Sequence, residues 1–197
     1  MKVPNGLSPL VGYIGTASPA NIDGSKFKDR AFTSTLLVRF SYPSGWLPLL
    51  PSITENGEAG TLGANNFIKG DSANFASVPA KADLKVDGIT KPMLQNLLVA
   101  QMASDVYEDV KVNKLKAVTQ PDGTEMVIFD FSYTLLTRAG FTVNRRGVGS
   151  ALPTSDALVG IVAATTTLRY KELEESLRGT ADSFRAYPVK TPGFNLV

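Results

Sequence analysis

A chain of 197 residues that is 43% hydrophobic is long enough for one sizeable core, and 20 basic against 18 acidic residues leave no basic stripe for nucleic acid. Cysteine and histidine are both absent, which removes thiol nucleophiles, disulfides, Cys/His zinc sites and imidazole acid–base catalysis together. No run approaches the ~18 apolar residues that span a bilayer, and the first fifteen residues lack a basic leader, so the chain reads as soluble, any targeting segment being removed or outside this numbering.

Residues 1–30 carry Pro4, Gly6, Pro9, Gly12, Gly15, Pro19 and Gly24 at intervals too short for a helix and too irregular for a strand. This reads as an extended arm, which we expect a partner surface to hold. Residues 32–41 form a strand by their β-branched and aromatic content, and it runs into Ser41-Tyr42-Pro43-Ser44-Gly45-Trp46. A strand end with ring surface, a proline without a donor and a glycine free to turn reads as an aromatic plug on one end of a core. Residues 47–66, with Pro48, Pro51, Gly57, Gly60 and Gly63, read as a loop, and residues 74–78 alternate as a second strand. Pro92 suits the first turn of a helix after Thr90, and Leu94, Leu97, Leu98 and Met102 then recur with helical spacing as a core-facing stripe.

The clearest local signal is a hairpin, with strands over 109–118 and 126–137 joined by Thr119-Gln120-Pro121-Asp122-Gly123. In the returning strand Val127, Phe129, Phe131, Tyr133 and Leu135 share one face and Asp130, Ser132 and Thr134 the other, which predicts one buried and one wet side. Residues 141–148 and 158–167 supply further strands, the second small and apolar enough for burial on both faces. A last helix is expected over 170–187, with Leu173, Leu177, Ala181 and Phe184 on one stripe and Pro188 as its stop. Gly179 within it predicts close packing against a strand. The elements sum to an α+β sandwich, a mostly antiparallel sheet with helices against it.

Asp105, Glu108 and Asp109 offer oxygen ligands of the kind calcium or manganese takes, but their spacing matches no EF-hand loop. A solvated helix-to-strand connection is the competing reading. Gly60-Thr61-Leu62-Gly63 and Gly147-Val148-Gly149 lack the lysine and helix start of a phosphate cradle, and Ser44 has no nucleophile elbow around it. No catalytic residue is assigned. Arg138, Arg145 and Arg146, with no acid between Asp130 and Asp156, form the one local positive field, either a solvated loop or a docking edge.

Three segments, in order, resemble the PsbP family of extrinsic photosystem proteins. They are Phe40-Ser41-Tyr42-Pro43-Ser44-Gly45-Trp46, then Tyr133-Thr134-Leu135-Leu136-Thr137-Arg138 leading into Gly140-Phe141-Thr142-Val143, and a strand over 158–164 before a helix closing in Ala181-Asp182-Ser183-Phe184. Tyr42, Pro43, Trp46 and Phe184 are the fold signature. The resemblance implies an α/β/α sandwich with a central, mostly antiparallel β-sheet, which we place over residues 31–188, between the arm over 1–30 and a tail over 189–197. It implies a non-enzymatic chain of the chloroplast thylakoid lumen, peripheral to the membrane and not spanning it. Its role would be to shield or stabilise the oxygen-evolving side of photosystem II, the arm touching core and other extrinsic subunits and Arg138, Arg145 and Arg146 meeting acidic lumenal loops. No covalently bound cofactor is implied, and calcium association rests on the resemblance alone. The alternatives are a transient assembly or repair factor for either photosystem and, third, a carboxylate-based enzyme or small-ligand binder.

Overall fold

The computed structural model describes residues 6–16, 34–50, 62–102, 106–137 and 139–189. Within them the chain runs β1 (Leu7–Thr16), β2 (Ser34–Pro43), β3 (Leu47–Leu49), β4 (Gly63–Asn66), β5 (Asp71–Pro79), α1 (Lys91–Gln101), β6 (Val106–Thr119), β7 (Glu125–Leu136), β8 (Thr142–Pro153), β9 (Ala157–Thr166), α2 (Tyr170–Ser183) and β10 (Arg185–Val189). Seven strands form one sheet in the order β3-β4-β5-β9-β8-β7-β6, and β1-β2-β10 form a second. The ladders in both are antiparallel. Helix α1 packs on β5, β6 and β9, while α2 packs on β8, β9 and β2. The expected α+β architecture, a helix on either side of a central antiparallel sheet, is what forms.

Two cores lie on the two faces of the large sheet, and β9 divides its side chains between them. Val159, Ile161 and Ala163 join the core beneath α2; Leu158, Val162 and Ala164 join the core beneath α1. Small apolar residues at every position are what a strand buried on both faces requires. In α1 the predicted stripe is fully inside: Leu94, Leu97 and Leu98 have no exposed surface. Gly147 and Gly149 owe their identity to cross-strand neighbours. They lie opposite Phe131 and Phe129, and a Cβ on either would sit 2.3–2.4 Å from a phenyl ring carbon. The glycines make room for rings, not phosphates.

The signature residues close the core beneath α2. Trp46 and Phe184 are buried there, with Tyr42 half-buried against the same core. The Trp46 amide donates to the Pro43 carbonyl at 3.2 Å, and Gly45 supplies the positive φ, +86°, that this turn needs.

Four expectations are corrected. Residues 7–16 of the expected arm are a strand, β1, paired along its whole length with β2; backbone pairing at a sheet edge tolerates the Pro9 and Gly12 that made it read as coil. The rest of the arm, and residues 190–197 of the tail, lie outside the described residues. The expected loop over 47–66 contributes β3 and β4. The last helix ends at Ser183, and the residues around Pro188 form β10 on the other side of β2, an edge where a missing donor is tolerated. The wet face of β7 is wet only in part: Asp130 is buried beneath α2. Gly179 does pack against a strand, since a Cβ there would meet Leu7 of β1 at 3.0 Å.

Candidate functional site

Adjacent residues of a strand point to opposite faces, and this separates the predicted arginines. Arg145 is buried, its guanidinium donating to the Gly70 carbonyl, to the Ala164 carbonyl at 3.3 Å and to Ser72 Oγ at 3.4 Å. It is a strut across β8, β9 and the β4–β5 turn and is not available for docking, because its donors are turned into the protein. Arg146 is exposed on the other face, its guanidinium carbon 4.2 Å from the centre of the Tyr170 ring. Burial pushes the Tyr170 phenol up. Arg138 lies outside the described residues. Among the described residues the positive edge is therefore Arg146.

Of the three carboxylates, Asp105 lies outside the described residues, and Glu108 and Asp109 are exposed on β6. The strand bulges between Glu108 and Lys111, with Asp109 at φ 54° and its carboxylate 3.7 Å from the Lys111 ammonium. Among the described residues no three metal-ligating side chains converge. Of its two described members, Asp109 stands in an exposed ion pair at a β-bulge.

Arg146 and Asp109 nevertheless border one shallow depression of about 350 Å³, lined also by Lys111, Asn113, Ser132, Thr134 and Asn144. It is the wet part of the β6–β7–β8 face. Its polar groups are partly paired among themselves: Asn113 Nδ2 donates to Ser132 Oγ at 3.3 Å and Thr134 Oγ1 to Asn144 Oδ1 at 3.1 Å. Amides, hydroxyls, the exposed cations Lys111 and Arg146 and one carboxylate suit a polar, acidic macromolecular surface better than a compact apolar ligand.

Sequence reading missed three charge networks that brace the turns. Asp71, fully buried, accepts from Thr165 Oγ1 at 2.7 Å and pairs with Arg169. Asp130 takes a two-pronged contact from Arg178 at 2.9 and 3.1 Å, and Arg178 also holds Glu174 at 2.9 Å. Arg185, buried at the start of β10, donates to Asp122 Oδ2 at 2.8 Å and to the carbonyls of Asp182 and Phe184. That hydrogen bond holds the Asp122 carboxyl at about 2. The partners are far apart in sequence, so no local motif announces them.

No family model matches the sequence, and no curated protein sequence matches it. The solution structure of cyanobacterial PsbP (CyanoP) from Synechocystis sp. PCC 6803 is similar over 92% of this chain and 93% of its own, with a TM-score of 0.51 and 15% identity. The chain has a PsbP-like fold. The crystal structure of LpqN, involved in cell envelope biogenesis of Mycobacterium tuberculosis, matches over 93% of both chains with 8% identity and a TM-score of 0.45. In this PsbP-like fold Trp46 of the strand end is core and Tyr42 packs against that core, while Ser44 and Gly45 are exposed, and no helix among the described residues is long and apolar enough to cross a membrane.

Proposed function

We propose that the chain is a non-enzymatic PsbP-domain protein of the thylakoid lumen that binds a photosystem, photosystem II first, by surface contact. The PsbP-like fold over 92% of the chain carries this reading. The exposed Arg146 beside a polar depression supports it with a surface suited to acidic loops of membrane subunits. Arg146 is the residue to change, because charge reversal at the buried Arg145 would disrupt the fold itself.

The test is rebinding of the purified chain to salt-washed photosystem II membranes across a salt titration. The wild-type chain should rebind, and Arg146→Glu should bind more weakly and release at lower salt. Rebinding only to photosystem I particles would redirect the assignment, and saturation far below one copy per photosystem would assign assembly or repair. Failure to bind either photosystem would overturn the reading.

A further inference from the structure

The antiparallel registers gather several turns at one end of the large sheet. Ser72 pairs with Ala164, Arg145 with Thr166, Leu136 with Thr142, and Val106 with Leu136. The β4–β5, β9–α2 and β7–β8 turns therefore lie in a row on the order of 20 Å across at the usual strand spacing. That row displays large apolar side chains: Phe67 is 64% exposed, Ile68 92%, Phe141 70% and Leu168 95%, with Val106 and Leu136 behind them. Single exposed apolar residues are ordinary, but a line of them on successive turns is not.

These turns are held, so the exposure is built in. The Lys69 amide donates to Asn66 Oδ1 at 3.2 Å, and Arg145 clamps the Gly70 carbonyl. Asp71 ties the same turn to Thr165 and Arg169, on either side of Leu168. Phe141 is fixed by its amide on Thr137 Oγ1 at 3.0 Å and by its carbonyl accepting from the Thr137 amide at 2.8 Å. Among the described residues the turns at the opposite end of the sheet, Asp122 to Thr124 and Thr154 to Asp156, carry no exposed large apolar side chain.

We infer that this rim seats on an anionic lipid bilayer, with Phe67, Ile68, Phe141 and Leu168 entering the interface and Lys69, Arg146 and Lys171 meeting headgroups. Shape favours a bilayer over a protein. The apolar groups are separate, largely exposed side chains on different turns, which a fluid interface accepts one by one, whereas a protein partner needs a continuous complementary face. Charge agrees. Among the described residues Lys69, Arg146 and Lys171 are exposed, the Asp71 carboxylate is buried under Arg169, and the acids Glu172 and Asp109 each have a cation within ion-pair distance. Glu108, two residues along β6 from Val106, is the exposed acid that remains beside these cations.

The chain has no cysteine, so single sites take an environment-sensitive dye cleanly. Vesicles of phosphatidylcholine with phosphatidylglycerol should sediment the wild-type chain. Dye on Ile68→Cys and Leu168→Cys should shift to the blue, and dye on Glu125→Cys, at the far hairpin turn, should not. Ile68→Asp with Leu168→Asp should lower vesicle binding about tenfold or more without changing the circular dichroism spectrum. No sedimentation with anionic vesicles, or equal dye responses at 68 and 125, would overturn the inference. Binding to photosystem membranes but not to vesicles would make the rim a protein-docking surface and overturn it equally. Because the vesicles carry no protein, failure here and failure of the photosystem reading are separate results.

Discussion

Arg185 and Arg145 sit at opposite ends of the molecule, both buried and both gripping a turn, yet the turns they hold differ. Arg185 reaches Asp122 in the β6–β7 hairpin, where Gln120 also bonds Asp182 at 2.9 Å and the turn is drawn onto the end of α2. Arg145 holds the Gly70 carbonyl, and the turn it steadies projects Phe67 and Ile68 into solvent. Rigid turns occur at both ends, but the turns themselves carry outward-facing apolar groups at one; at the hairpin end the exposed Val11 lies within β1, opposite Arg39, and not on a turn. The difference separates bracing from burial: the hairpin end uses its charges to finish the fold, and the other end uses them to present side chains that contribute little to folding.

The largest effect should come where the ends share a core. Trp46→Ala removes a buried indole and should cost about 3–5 kcal/mol in urea unfolding, loosening both ends alike. A variant that unfolds like the wild-type chain while losing photosystem binding would make the strand end a binding surface and not core. Asp71→Ala leaves Arg169 and Thr165 without their carboxylate and should cost about 3 kcal/mol, with hydrogen exchange rising first around residues 66–70 and 166–169. Exchange rising first at the hairpin turn would contradict the separation of the two ends.

Acid should act at the hairpin end. Asp122 has a folded-state pKa of about 2 against an ordinary 3.8, so its contribution to stability is present above about pH 4 and is lost as pH falls toward 2. Asp122→Asn should flatten that limb of the stability profile, and an unchanged acid transition would remove Asp122 from the account. The smallest stability effect is expected at the apolar rim: Ile68→Asp should change unfolding free energy by no more than about 0.5 kcal/mol, since the side chain is almost wholly exposed. A large loss would mean that Ile68 packs and does not present.

Much of the fold was legible because local chemistry and tertiary environment agree there. Pro92 and the leucine stripe announce α1, Pro121-Asp122-Gly123 announces the hairpin, and the run of small apolar residues in β9 announces burial on both faces. Strands β1 and β10 were not legible, because each exists through pairing with β2 and carries proline or glycine where a solitary strand would not. The candidate site was half legible. Arg145 and Arg146 read as one patch in sequence, although the two-residue period sends them to opposite faces, and only the carbonyl of Gly70, 75 residues away, explains why one of them is inside. The apolar rim was invisible because its members look like ordinary core residues until the register places them on turns.

The claim that one end of the molecule meets the membrane system and the other does not is tested most directly by thiol reactivity in the bound state. Single-cysteine chains carrying Ile68→Cys or Glu125→Cys are bound to thylakoid membranes and exposed to a water-soluble maleimide. Strong protection at 68 and unchanged labelling at 125 are expected. Equal labelling at both positions, or protection at 125 alone, would contradict it.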